Sequence, residues 1–396
     1  MHWLNAYKKL GHRFKRRYFV TSYFLVWLFL LKLTFSKRGS KRRPGTLLIV
    51  RFDLIGDYVL FRNFLSALRN SDFKNFHITL CGNAVYKNLA ESLDGTIIDE
   101  FIWIDRSRFL KDKAYHFAVL RELNNAAFEI AFQPTFSREI YGDLLIYASQ
   151  AKQRIGVDGD CANQTKARRQ ITDGFYTELI KVDSTPKFEF FRNKEIVEKV
   201  IKQDVALAKP KIVLSDEGND FKLNENYAVL VVGASHPRKL WRGYHDIIKH
   251  VVDRCRLKIV FVGHGKKDGD AINEVLQKSS LTNYTNLCDK TTLIELAQVL
   301  NSARLVVSND TAAVHLAAAL GTPTVCIALG SHAYRFNNYP LEMGVNICFL
   351  FPEEVESRIR DGNFSDYQSP YSSELDINSI SPDRVEKAID EVMTVG

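Results

Sequence analysis

Short apolar runs alternate with helical stripes along most of this chain. Thr46-Leu-Leu-Ile-Val-Arg51 is the first such run, followed by Ile78–Cys81, Thr96–Ile104 and Glu129–Phe132. Runs of this length suit parallel strands buried on both faces. Between them, helical spacing marks Asn83–Ser92 and Lys113–Asn125, and Leu60, Phe61, Phe64, Leu65 and Leu68 form one stripe. A helical stretch near Phe188–Ile201 closes this half. Residues 206–225 are mixed and polar, and Asp216-Glu-Gly-Asn-Asp220 reads as a linker or surface turn. A second series then begins, with strands predicted at Tyr227–Val232, Leu257–Val262, Leu305–Ser308 and Thr324–Ala328. Its helices are predicted at Tyr244–Arg254, Asp268–Lys278, Leu293–Ser302 and Ala312–Leu320. Two alternating βα series predict an α/β protein of two doubly wound, Rossmann-like domains facing across a cleft. Residues 344–378 read as irregular. Ser381-Pro-Asp-Arg-Val-Glu386 has the cap, the proline and the acidic first turn of a helix start. The expectation is that this last helix, in residues 379–396, returns to brace the first domain.

The first 44 residues stand apart. Trp3, Tyr7, Leu10 and Phe14 recur at helical spacing, with Lys8, Lys9, His12, Lys15 and Arg16 on most of the other face. Such a basic amphipathic pattern suits an anionic membrane surface. Tyr18–Leu31 is apolar apart from Thr21 and Ser22, which is shorter than the ~20 residues a membrane span needs. Basic residues flank it on both sides, which opposes translocation of either end. Residues 1–44 are therefore expected to form a membrane anchor that lies in the cytoplasmic leaflet, with a single span as the competing arrangement. The domains expected after it cover residues 45–210 and 225–378.

Charge sharpens this division. The chain of 396 residues has a formal charge of +8, but residues 1–50 hold twelve Lys and Arg and no Asp or Glu. The remainder carries 42 basic and 46 acidic residues. A nucleic-acid-binding domain should itself present a basic face, so that class is disfavoured. Cys81, Cys161, Cys255, Cys288, Cys326 and Cys348 contain no C-x-x-C pair and read as thiols of a reducing compartment. No metal-ligand spacing is apparent among the histidines and cysteines.

Three strand-to-helix junctions carry the candidate chemistry. In the first, a strand ends at Arg51, Gly56 permits close backbone approach, and Asp57 opens a helix. Asp57 suits either an N-cap or a carboxylate base facing a cleft. In the second, the strand from Tyr227 runs into Gly233-Ala-Ser235 and a basic loop. There Lys239 could neutralise a phosphate and Ser235 could donate to it, whereas Trp241 reads as a packing residue. In the third, Asn309, Asp310 and Thr311 are cap-type residues before a small-residue helix that Gly321 and Pro323 end. A helix start above parallel strands aims free N–H groups and a positive dipole end at the crevice, where a diphosphate would sit. His315 shares a helix face with Thr311. Gly263-His-Gly265 lacks the third glycine of a dinucleotide fingerprint, which disfavours a dehydrogenase.

Together these landmarks resemble glycosyltransferase family 9, the lipopolysaccharide heptosyltransferases. The resemblance rests on Leu47-Leu-Ile-Val-Arg-Phe-Asp-Leu-Ile-Gly-Asp57, on Gly233-Ala-Ser with Lys239-Leu-Trp241, on Asn286-Leu-Cys-Asp-Lys-Thr-Thr-Leu293, and above all on Ser308–Pro323. It covers roughly residues 46–395. It implies a GT-B fold, an acceptor site mainly on the first domain and a nucleotide-sugar site mainly on the second. It implies inverting, metal-independent transfer of a heptose or related sugar to a lipid-linked glycan, with no cofactor, at the cytoplasmic face of a bacterial inner membrane. By position, Asp57 would be the general base, Lys239 and Ser235 would hold the donor phosphates, and Asp310, Thr311 and the backbone at Ala312 would hold the donor, with His315 nearby. This chain has Ala312 where the family usually has glycine, Gly330-Ser-His332 in place of Gly-Pro-Thr, and Val231-Val232 in place of His-Pro. Lys266 or Lys267 replaces an acidic residue. These departures leave the donor open, ADP-heptose among the candidates. A nucleotide-sugar epimerase and a non-catalytic sugar- or nucleotide-binding scaffold are the alternatives. Retention of both Asp57 and Lys239 weighs against the scaffold.

Overall fold

The structure, a computed structural model, describes residues 42–214, 225–331, 333–362 and 375–394. Nearly all of the expected membrane anchor lies outside them. Its last three residues do not: strand β1 (Arg43–Arg51) already begins at Arg43, whose N–H donates to the Ala127 carbonyl (2.8 Å). Among the described residues no helix is long and apolar enough to cross a membrane.

Each half is built on a six-stranded parallel sheet. The first holds β1, β2 (His77–Asn83), β3 (Glu100–Ile104), β4 (Phe128–Phe132), β5 (Gln153–Asp158) and β6 (Glu178–Lys181), in the order β3-β2-β1-β4-β5-β6. The second holds β7 (Tyr227–Val231), β8 (Lys258–Phe261), β9 (Tyr284–Asn286), β10 (Leu305–Asn309), β11 (Thr324–Ile327) and β12 (Ile347–Leu350), in the order β12-β11-β10-β7-β8-β9. Leu47, Leu48, Ile49 and Val50 are fully buried, as are Leu305, Val306 and Val307, because helices cover both faces of each sheet. Strand order reverses between β1 and β4 in one sheet and between β7 and β10 in the other. A crevice opens beyond the strand ends at such reversals.

The domains meet through helices. The Ala312–Leu320 helix packs on the Ile55–Phe61 helix, and Leu293–Ser302 packs on Lys87–Asp94. One apolar core runs through this interface, joining Phe64 and Leu65 to Leu316 and Ala317. The segment after the Glu189–Ile201 helix is tied to both sides. The Lys211 carbonyl accepts from Arg62 Nη1 (2.8 Å), and the Ile212 N–H donates to the Ala319 carbonyl (2.8 Å).

Three expectations change. The last helix (Pro382–Thr394) does not brace the first domain. Val385, Ala388, Ile389 and Val392 join the core of the second, beside Trp241, Val251 and Val325. The apolar side of its amphipathic stripe finds the nearest open face, that of its own sheet. Residues 344–378 are not uniformly irregular: β12 and a helix at Glu353–Arg360 lie within them, the strand too short for its alternation to stand out. The helix expected at Tyr244–Arg254 turns π-helical from His250 to Arg254.

Candidate active site

A cleft of about 1340 Å³ lies between the domains, beyond the ends of both sheets. Its walls bring together every residue singled out by sequence: Asp57 on one side, and Ser235, Lys239, Asp310, Thr311, Ala312 and His315 on the other.

Arg51, the last residue of β1, organises the first wall. It is buried, with its guanidinium over the Phe61 ring (4.6 Å). Nη1 donates to the Pro134 carbonyl just after β4 (2.6 Å), which ties the two loops flanking the strand reversal. Nη2 donates to the Asp57 carbonyl (3.0 Å) and pairs with Asp53 Oδ2 (2.9 Å). Asp57 is not an N-cap. It is the third residue of its helix, and its Oδ2 accepts from the Leu54 N–H (3.3 Å), closing the first turn. The helix start does not keep Asp57 at an ordinary acidity either. Burial raises its pKa, Glu189 adds to the rise, and Arg51 and Arg335 offset part of it. Asp53, with one buried oxygen lacking a hydrogen bond, is pushed up to about 7 by burial against the counter-effect of Arg51, with Asp57 adding to the rise.

The second wall is a set of loops locked by Asn309 at the end of β10. Its amide donates to the carbonyls of Val232 (2.9 Å) and Gly233 (3.1 Å), and its oxygen accepts from the Trp241 N–H (3.2 Å). This joins the loops after β7 and β10 across the second strand reversal. Trp241 packs in the core, its Nε1 donating to the Ile380 carbonyl (2.8 Å), as expected. Thr311 caps the Ala312–Leu320 helix, accepting from the Ala313 N–H (3.3 Å). Lys239 is not an isolated cation: its Nζ pairs with Asp310 Oδ2 (2.7 Å). Burial pushes the Asp310 carboxyl up, but Lys239 overrides this and holds it below the usual range. Asp310 is thus already occupied, and it tethers Lys239 beside the helix start. His315 is buried, its Nδ1 within 2.9 Å of the Tyr339 hydroxyl, and burial pushes its pKa down to about 4. Its ring lies against Gly56 of the opposite wall.

Residues 116–355 match the sequence profile of glycosyltransferase family 9 (heptosyltransferase). The chain belongs to this family. No curated protein matches it in sequence. Among solved structures, a family 9 glycosyl transferase from Veillonella parvula DSM 2008 aligns with a TM-score of 0.68 at 18% identity, over 90% of this chain and 99% of that one. E. coli ADP-heptose lps heptosyltransferase II aligns at 0.63 and 15% identity, covering 88% of this chain and 99% of that one. E. coli heptosyltransferase WaaC with ADP aligns at 0.64 and 16%, over 88% and 99%. The fold shared with these structures is GT-B, and the chain is a glycosyltransferase.

Four site residues of this family 9 glycosyltransferase escaped the sequence reading. Arg51 and Asp53 sit inside a segment whose spacing drew attention only to Gly56 and Asp57. Glu189 and Arg335 come from different domains. Arg335 Nε pairs with Glu189 Oε2 (2.7 Å), the Glu189 N–H donates to the Arg335 carbonyl (2.7 Å), and Arg335 Nη1 donates to Ser137 Oγ. Nothing in one sequence signals a partner 146 positions away.

Proposed function

We propose that this glycosyltransferase moves a heptose or related sugar, with inversion, from a nucleoside-diphosphate sugar to a lipid-linked glycan such as lipopolysaccharide core. One observation carries the reading: Asp57 and the Lys239–Asp310 pair line opposite walls of a single cleft. Asp57 takes the proton from the acceptor hydroxyl as that oxygen attacks the anomeric carbon. The raised pKa of Asp57 makes it a better base near neutral pH than an ordinary aspartate. The departing diphosphate gains charge in the transition state. Lys239, Ser235 and the first turn of the Ala312–Leu320 helix stabilise that charge more than the ground state. Thr311 and Ala312 bring the backbone toward the donor, with His315 beneath them. These fixed positive groups do the work a divalent ion would otherwise do, so the transfer is metal-independent and uses no cofactor. ADP-heptose, the substrate named for E. coli heptosyltransferase II, is the first donor to test.

Residues 1–41 place the enzyme on the cytoplasmic face of the inner membrane, where a lipid-linked acceptor is presented. Their basic and aromatic composition supports this. Loss of cosedimentation with anionic vesicles on their deletion is the expected result, and undiminished binding contradicts the anchor. The function is tested by a thermal-shift screen of the protein against nucleotide sugars, followed by transfer with and without EDTA. A stabilising donor and chelator-insensitive transfer are expected. Transfer that EDTA abolishes contradicts the metal-independent mechanism.

A further inference from the structure

Among the described residues, Arg106 and Arg335 line the acceptor half of the cleft and Arg51 lies buried behind it, and each is already matched to a carboxylate. Arg51 pairs with Asp53. Arg106 grips Glu139 with both terminal nitrogens (2.5 and 2.8 Å), donates to the Phe52 carbonyl (2.9 Å) and lies over the Phe52 ring (4.8 Å). Arg335 reaches over from the second domain to Glu189, which is 2% exposed. Among the described residues, the remaining cation of this wall, Lys87, stands half-exposed 3.9 Å from Glu91. Asp57 has no ion-pair partner within 4.0 Å among the described residues. The donor half is different: Lys266 and Lys267 line it with no carboxylate in ion-pair range among the described residues.

Resting on the transfer reading above, we propose that the sugar ring presented to Asp57 is uncharged, with no carboxylate or phosphate beside the reacting hydroxyl. Among the described residues, an anionic ring would meet Asp57 and Asp53 with no unpaired arginine of the cleft to receive it. Recruiting Arg335 would strand the buried Glu189, and recruiting Arg106 would strand Glu139, at the cost of an uncompensated charge. Burial already raises Asp53, with Asp57, Glu139 and Glu189 adding to the rise, and a further negative charge would oppose its ionisation still more. A neutral ring suits the rest of the wall. Asn88 and Thr135 offer an amide and a hydroxyl, and exposed Leu54 and Val85 offer apolar surface to a ring face.

The test uses the full chain in detergent with the donor identified by the screen. Two synthetic lipid-linked acceptors are compared that differ only at the reacting ring, a hexose against the corresponding uronic acid. The neutral acceptor is expected to show kcat/KM at least tenfold higher. Glu139→Gln, which releases Arg106, is expected to narrow that ratio. Equal or better use of the uronic acid by the unmodified enzyme overturns the proposal. Donor binding is measured in parallel by calorimetry. A protein that binds its donor yet prefers the anion refutes only this inference, whereas one that binds no nucleotide sugar refutes the transfer reading itself.

Discussion

Gly56 and His315 belong to different domains and touch across the floor of the cleft: a Cβ on Gly56 would lie 2.7 Å from His315 Cδ2. That distance is too short for any unaltered packing. Gly56 sits inside a helical turn and has no positive φ, so its need for glycine comes from the His315 ring. The ring cannot easily yield, since it is buried and held by Tyr339.

Gly56→Ala should therefore displace either His315 or the helix that carries Asp57. Overpacking of this kind costs ~1–3 kcal/mol. Small displacements of reacting groups also lower rate steeply. The expected result is a cooperative urea transition at lower denaturant and a fall in kcat/KM of about tenfold or more. A variant with unchanged stability and turnover would mean that the interface breathes freely.

Lys239→Ala should do more than weaken donor binding, because it leaves Asp310 buried without its cation. Breaking one side of such a pair typically costs ~3–5 kcal/mol, nearer the low end here because both side chains keep slight exposure. Adding Asp310→Asn to Lys239→Ala is expected to restore part of the stability but not the donor affinity. Chemical denaturation and calorimetry across the four proteins of this cycle check it. A double variant whose loss equals the sum of the two single losses would show that the pair is not coupled.

The pH profile follows from the surroundings of Asp57. Burial raises its pKa, so the reactive carboxylate is lost as pH falls through a value above the ordinary aspartate range. The acid limb of kcat/KM is expected there. Arg335 holds that pKa down, and its removal also leaves Glu189 unpaired nearby. Both changes disfavour the carboxylate, so Arg335→Met should move the acid limb to higher pH. A limb that stays in place, or moves toward acid, contradicts this electrostatic account.

Much of this arrangement was legible in the sequence because it is local. Strand runs such as Leu305–Val307, the Thr311 cap and the Gly321 stop lie within one stretch of chain, and so do Gly56 and Asp57. Their parallel-strand context placed them at one opening. What escaped is what the fold assembles from afar. The Lys239–Asp310 pair, the Arg335–Glu189 pair and the Gly56–His315 contact each join residues 71 or more positions apart. The last helix escaped for the same reason: its stripe shows that one face is buried but not which domain buries it.

The central claim is that Asp57 acts as base on one wall while the other wall holds the donor. Its most direct test measures sugar transfer and donor affinity for Asp57→Ala beside the unmodified enzyme. The account predicts a loss of transfer of ~10²–10⁴-fold, as for removal of a general base, with donor affinity nearly unchanged. Near-full transfer by Asp57→Ala to a verified acceptor would contradict it.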